Sequence, residues 1–571
     1  MQNIFENSEI KFHTTENIFD ETILSGFPND ILHESDHFGV LQFKMVSKSS
    51  TNISQTYAIL LNVDCSASMD DPSSDGRTKM HHVTHTLKRI LSSFAEMHKL
   101  CNANIFVSVV AFDNKIHKIF EFTKITEDNV ESLRNMVNDI VPLESTNIEL
   151  ALKESLRICH EYKKVNPTHY LHHILLTDGD ATEGEKQKDV LSKLVNKNYP
   201  NVFIGFGKQH NAALLSCLSN DVRNDYRFID NIEYSGIVYG EIIQNILYNI
   251  IDIGRIVVKN GLIYDWKLNQ WTTEIPIANL AGSCERTFQI KAEEMYDIEI
   301  DVYGTLFDGN TSPEEKLIET IYYYPPLFDL SEGEIVPIDV DLTPYAFRQK
   351  AQELMHEAAI LSKNDDQFDY QYEKEIALKD RLRQFWKFMM NYVEKTDKKS
   401  DKFMKLLCDD IYVTMNTLGN NESSMWILNR ESSQGKQQTY KATPSRRDFL
   451  ATPVLRRQTN CPIMTQTVDL YESSDAPVLR RETTRGSYDI DYDQRSFASQ
   501  QLNQENAKRS DDFGQSNTLP FPTFDKEGEG EEEEEYNSSI ENYELSNNID
   551  TPYITDEIAY MMKNIGGDKN T

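Results

Sequence analysis

The chain has little that would cross-link it, carry it through a bilayer or hold it on a polyanion. Its seven cysteines are scattered at positions 65, 101, 159, 217, 284, 408 and 461 of 571 residues. The number is odd and no CxxC pair occurs, which argues for reduced thiols, against a disulfide scaffold and against a structural zinc site. No uninterrupted apolar run approaches the ~20 residues that a membrane-spanning helix needs. Basic residues are outnumbered, 58 Lys and Arg against 91 Asp and Glu, for a formal net charge of −33. A duplex nucleic-acid binder needs clustered Lys and Arg against phosphate, so that class is disfavoured. A GxxxxGK[ST] phosphate loop and an HExxH zinc motif are also missing. The opening MQNIFENSEIKFH has neither the basic nor the apolar region of a secretory signal. The expectation is a cytoplasmic protein with no membrane span.

What is present centres on Tyr57 to Asp71, YAILLNVDCSASMDD. The apolar run Ile59 to Val63 reads as a buried strand, ended by Asp64 and turn-forming residues. One carboxylate and two hydroxyls follow at i, i+2 and i+4: Asp64, Ser66 and Ser68. Hard oxygen donors of this kind suit Mg²⁺ or Mn²⁺ and suit zinc poorly. A second loop, LESTNIELAL, places Thr146 just before a helix; HHILLTDGDATEG brings another apolar run, Ile174 to Leu176, to Asp178.

The D-x-S-x-S pattern after a hydrophobic strand resembles the metal-ion-dependent adhesion site of von Willebrand factor type A domains. That family adds a threonine from a second loop and an aspartate from the end of a later strand, and Thr146 and Asp178 stand in those places. The resemblance implies that Asp64, Ser66, Ser68, Thr146 and Asp178 hold Mg²⁺ or Mn²⁺. It also implies that a protein partner completes the coordination with an Asp or Glu side chain, Thr146 and Asp178 alternating between direct and water-mediated contact.

Taken in order, residues 1–52 read as polar and irregular apart from a strand at about 38–46, which is expected to join a later β-sandwich. Residues 53–252 alternate buried strands with helices, the signature of a doubly wound, mostly parallel α/β sheet. Helices are predicted at 79–100, after Thr146, at 184–196, 212–218 and 234–251. In such sheets ligands bind beyond the carboxyl ends of the strands where strand order reverses. Short alternating strands at 253–328, one of them 271–277, read as a small antiparallel sandwich. Helical periodicity at 343–418 predicts a helical bundle. Residues 419–571 are rich in Ser, Thr, Asn, Gln and charge, so a disordered acidic tail is expected, with a short amphipathic helix at 554–565. The tail carries two similar segments, TPVLRRQT and APVLRRET, whose Thr459 and Thr483 follow arginine pairs, and the acidic run Glu531 to Glu535.

Other signals are weaker. Asp70 and Asp71 read as solvated loop acids, and Asp180 as a neighbour of the site. His81–His82 and His172–His173 are adjacent pairs that point to different faces and make poor chelators. Cys65 lacks the arginine of a C-x5-R phosphatase loop, and Ser66 stands where an aspartyl-phosphate enzyme needs a second acid. The expectation is therefore no enzyme but a divalent-cation-dependent scaffold or adaptor. The alternatives are a metal-independent structural assembly protein or a magnesium-dependent hydrolase.

Overall fold

The computed structural model describes residues 4–13, 37–47, 55–73, 75–294, 297–306, 314–323, 340–363, 368–420, 422–445, 449, 543–546, 549 and 551–566. The first described element is a strand. Strand β1 (Phe5–Phe12) pairs antiparallel with β2 (His37–Met45), Ile10 lying opposite Leu41. The expectation of an irregular opening is corrected here. Phe5, Ile10 and Phe12 are buried, but a register shift between Phe5 and Asn7 breaks the alternation by which a strand is recognised.

An α/β domain follows. Its elements are β3 (Thr56–Asp64), α1 (Lys79–Cys101), β4 (Asn104–Phe112), β5 (Ile116–Lys124), α2 (Val130–Asn138), α3 (Ile148–Val165), β6 (Tyr170–Thr177), α4 (Lys188–Leu191), β7 (Asn201–Phe206), α5 (Ala212–Leu218), β8 (Asp225–Ile229) and α6 (Ser235–Leu247). The sheet order is β5-β4-β3-β6-β7-β8, all neighbours parallel except the β4–β5 hairpin. Every residue of β3 from Tyr57 onward is buried, because helices cover both faces of a doubly wound sheet. Helix α1 lays Val83, Leu87, Ile90, Leu91 and Phe94 on it, each burial worth roughly 1.5–3 kcal/mol. Thr78 caps this helix by accepting from the His81 amide.

Two helix expectations are corrected. Over 184–196 only Lys188–Leu191 is α-helical, followed by a 3₁₀ turn at Ser192–Leu194. The 234–251 helix stops at Leu247, and the β-branched run after it is already β9.

The remaining strands are β9 (Asn249–Lys259), β10 (Leu262–Asp265), β11 (Gln270–Thr272), β12 (Glu274–Ala281), β13 (Glu285–Ala292), β14 (Glu299–Leu306) and β15 (Lys316–Tyr322). They form two antiparallel sheets, β1-β2-β13-β10-β11 and β12-β9-β14-β15. Strand β2 joins as expected, with Leu41 opposite Phe288. The single strand read at 271–277 is two, β11 and β12, which belong to opposite sheets. Leu41, Phe43, Ile256, Ile263, Ile290, Ile300 and Val302 share the core between the sheets. The α/β domain is thus an insertion between β2 and β9 of the sandwich.

Helices α7 (Thr343–Lys363), α8 (Phe368–Lys395), α9 (Lys402–Thr417) and α10 (Ser423–Lys436) come next. Phe347 of α7 packs edge-on against Tyr392 of α8 with ring centroids 5.2 Å apart. A disordered tail from 419 is corrected over 422–445 and 551–566. Helix α10 is followed by a segment in which Gln437 to Ala442 are all buried. Polar composition hides this burial, because the segment is held by buried charge. Asp410 accepts from Lys441 at 2.7 Å and from Arg430 at 3.0 Å, and the Thr439 amide donates to Glu241 at 3.0 Å. The repeated segments and the acidic run lie outside the described residues. Among the described residues, no helix is long and apolar enough to cross a membrane.

The expected helix near the C-terminus forms as α11 (Asp556–Gly566), and it lies on α6 and α1. Ile558, Met561, Met562 and Ile565 are buried, and Arg89 of α1 donates to the Asn564 carbonyl at 2.8 Å. The approach to α6 requires glycine: a Cβ on Gly240 would lie 2.7 Å from Met562 Cα, and one on Gly236 2.5 Å from Gly566 Cα. Gly240→Leu in the full chain should lower the unfolding free energy by roughly 1–3 kcal/mol. Removing 551–566 should do the same, and combining the two should cost no more than either alone. Additive losses in calorimetry would show that Gly240 acts through something other than α11.

Candidate functional site

Strands β3 and β6 are parallel neighbours, with Val63 opposite Leu176. Their carboxyl ends therefore deliver Asp64 and Asp178 side by side. The chain runs from β3 to β4 on one side and to β6 on the other, so this is the point where strand order reverses. After Asp64 the backbone folds into a 3₁₀ turn over Ala67–Asp70. That loop is laced to the Thr146 loop: the Ala67 amide donates to the Glu144 carbonyl at 2.8 Å, and the Leu143 amide donates to the Cys65 carbonyl at 2.7 Å. The loop after β6 closes the third side. Thr182 and Glu183 amides both donate to the Thr146 carbonyl, at 3.0 and 3.1 Å, and the Thr146 amide donates to Thr182 Oγ1 at 2.8 Å.

The side chains meet in the middle. Asp64 and Asp178 are 0% exposed, Ser66 2% and Thr146 3%. The Ser66 amide donates to Asp64 Oδ1 at 2.8 Å, and Thr177 Oγ1 donates to Asp64 Oδ2 at 2.6 Å. Ser66 and Ser68 hydroxyls lie 3.1 Å apart, and Ser68 donates to Asp178 Oδ1 at 2.8 Å. A Cβ on Gly179 would sit 3.5 Å from Thr146 Oγ1 and 3.8 Å from Ser68 Oγ, so the threonine hydroxyl faces the same space. All five residues singled out in the sequence converge.

Two participants escaped the sequence reading. Thr177, beside Asp178 in the TDG turn, secures the second oxygen of Asp64. Lys79, the first residue of α1, donates to Asp178 Oδ2 at 2.6 Å and to Asp71 Oδ2 at 3.3 Å. A lysine starting a helix gives no signal in sequence; only the fold brings it to the strand ends. Asp70 is exposed, and so is Asp180, which accepts from Asn211. His172 and His173 are core residues whose burial drives them to about 3 and about 4, hence neutral.

The donor set fits a hard cation. Among the described residues, no group of three or more His, Cys, Asp or Glu could hold a metal ion, so any ion here relies on hydroxyls as well as the two carboxylates. Each hydroxyl that now donates also carries lone pairs that rotation would turn inward.

Residues 59–234 match the von Willebrand factor type A domain family. No curated protein matches the chain. Among solved structures, the chain is similar to a von Willebrand factor type A protein from Catenulispora acidiphila. The two are 12% identical with a TM-score of 0.45, over 72% of this chain and 90% of that one. It is also similar to the ArnB paralog VWA2 from Sulfolobus acidocaldarius, 14% identical with a TM-score of 0.41, over 75% and 97% of the two chains. A third is proximal thread matrix protein 1 from the mussel byssus with a zinc-occupied MIDAS motif. It is 18% identical with a TM-score of 0.29, over 36% and 50%.

Inside the type A domain, burial pushes the Asp64 carboxyl up to about 6 from an ordinary 3.8; the Thr177 hydrogen bond opposes this and the Asp178 charge adds to it. A carboxyl raised in the folded state stabilises the fold when protonated, and that contribution is lost as pH rises from the unfolded value through the folded one. In ion-free buffer the wild-type thermal transition should therefore fall, relative to Asp64→Asn, between about pH 4 and 6. Parallel pH profiles for the two proteins would show that Asp64 does not titrate in this window.

Proposed function

We propose that the type A domain is a divalent-cation-dependent protein-binding module in which the cation presents a coordination position to an acidic side chain of the partner. Type A domains are commonly protein-interaction modules. The observation that carries the reading is the convergence of Asp64 and Asp178 with three hydroxyls at one reversal of strand order. Asp64, Ser66 and Ser68 would hold Mg²⁺ or Mn²⁺ from the β3 loop, with Thr146 and Asp178 from the other two loops. The bound ion supplies a Lewis-acidic position that a carboxylate fills. Two carboxylates balance two positive charges, but three neutral hydroxyls leave room for another anionic oxygen in an octahedral sphere. The loops are already laced together, so little ordering is left to oppose binding.

The carboxylates that accept from hydroxyls, Asp178 from Ser68 and Asp64 from Thr177, are the two a cation would take, so neither is left to act as a general base. A binding role is accordingly favoured over hydrolysis.

Calorimetric titration of the full chain should show Mg²⁺ and Mn²⁺ binding that Asp64→Ala reduces by at least tenfold, with the sheet intact by circular dichroism. Partner capture from cell extract should be lost in EDTA and in Asp64→Ala. Thr146→Ala should weaken capture more than ion binding. Capture that survives both EDTA and Asp64→Ala would sink the reading in favour of metal-independent assembly. Turnover of a phosphate or peptide substrate that Asp64→Ala abolishes would sink it in favour of a hydrolase.

A further inference from the structure

The Lys79 ammonium sits on one of the two carboxylates that a cation would need. We propose that Lys79 is a built-in counter-cation of the site, which competes with a divalent ion for Asp178 and retires to Asp71 when the ion wins. The inference deepens the cation-site reading above and rests on it.

The geometry is specific on three points. Lys79 Nζ is 2.6 Å from Asp178 Oδ2, and Ser68 already occupies Oδ1, so both oxygens of this carboxylate are engaged. The lysine side chain is 15% exposed and that of Asp178 0%, whereas that of Asp71, 3.3 Å from the same nitrogen, is 51% exposed. The arm is also fixed at its base. The Lys79 amide donates to the Asp71 carbonyl at 3.1 Å, Pro72 bridges to Thr78, and Gly76 takes a positive φ of 80° in the tight loop between them. The loop thus closes on itself and holds Lys79 beside both acceptors.

The chemistry of the two hydrogen-bond donors differs. A serine hydroxyl can turn a lone pair toward a cation, so Ser68 can stay and become a ligand. An ammonium has three donors and no lone pair, so Lys79 cannot become a ligand, and its charge at 2.6 Å from Asp178 Oδ2 repels a divalent ion there until it withdraws. Asp71 is already its second acceptor, so the ammonium need not go unpaired. It does exchange a buried partner for an exposed one, and exposed pairs are weak. The difference is subtracted from the ion's affinity. Lys79 therefore raises the ion concentration at which the site fills, and it keeps the buried acid compensated below that concentration.

The test is calorimetric titration of Mg²⁺ and Mn²⁺ into the full chain. Lys79→Met keeps the aliphatic stem and removes the charge; Arg77→Met removes an exposed charge from the same loop as a control. Lys79→Met should bind either ion roughly tenfold tighter than wild type, within the 5- to 150-fold span usual for coupled sites, and Arg77→Met should change affinity little. Asp71→Asn should weaken ion binding in the wild-type background and do so much less in Lys79→Met, since the retreat position matters only while the lysine is there. In ion-free buffer Lys79→Met should also melt lower than wild type and recover when the ion is added. Binding by Lys79→Met that is no tighter than by Arg77→Met, or an Asp71→Asn effect equal in both backgrounds, overturns the proposal and leaves the cation site standing. If neither wild type nor Lys79→Met binds an ion at millimolar concentration, both the proposal and the cation-site reading fall. Binding by Lys79→Met alone would support the proposal in its strongest form.

Discussion

Asp64 and Asp178 are withdrawn from water at the ends of neighbouring parallel strands, and an ionised carboxylate so placed must be compensated from within the protein. The surrounding loops are arranged around that requirement. The turn after β3 aims the Ser66 amide and the Ser68 hydroxyl at the two acids, the strand β6 contributes Thr177, and the start of α1 contributes Lys79. Burying like charges together is costly unless a positive charge joins them, and the Lys79 ammonium supplies one. The net charge of −33 leaves the two acids to be compensated by these local partners.

The same requirement for local compensation recurs where the domains meet. Arg227 on β8 lies 2.6 Å from Asp225 and 2.9 Å from Glu241 of α6, and Asp225 also pairs with Lys436 of α10 at 2.9 Å. Burial works against ionised Asp225, yet Arg227 and Lys436 hold it at about 2. On the sandwich side, Arg348 of α7 donates to Thr287 of β13 at 2.6 Å and to the Gln434 carbonyl of α10 at 3.0 Å. These contacts are buried or half-buried and directional, so they favour one orientation of bundle, sandwich and α/β domain where an apolar face would tolerate sliding. The insertion between β2 and β9 adds a covalent constraint, since both ends of the α/β domain are anchored in one sandwich.

How legible all this was depended on the range of the interaction. Buried parallel strands announce themselves as apolar runs, and Asp64, Ser66, Ser68, Thr146 and Asp178 carry a spacing that three loops make necessary, so the α/β core and the five site residues were readable. Strand β1 was not, because its bulge removes the period-two signal. The segment 437–442 was not, because a composition argument counts apolar area and is blind to a polar stretch buried by Asp410, Glu241 and Arg430. Lys79 was not, because its partner lies 99 positions away, and only the reversal of strand order puts the start of α1 beside the end of β6. Failures of this kind fall where long-range charge overrides local pattern.

Helix α1 connects these levels. Its first residue holds a buried acid of the site, its central stripe covers the sheet, and its outer face receives α11 through Arg89 and the Asn564 carbonyl. Of those three contacts the stripe is apolar, and the other two are polar bonds from Lys79 and from mid-helix Arg89 to partners 99 and 475 positions away. A helix held in this way cannot rotate or slide without losing one of them, since its side chains advance by about 100° per residue. The position of the Lys79 ammonium is therefore set as much by the covering of α1 as by the loop before it, and the charge state of the strand ends is built into the packing of the whole domain.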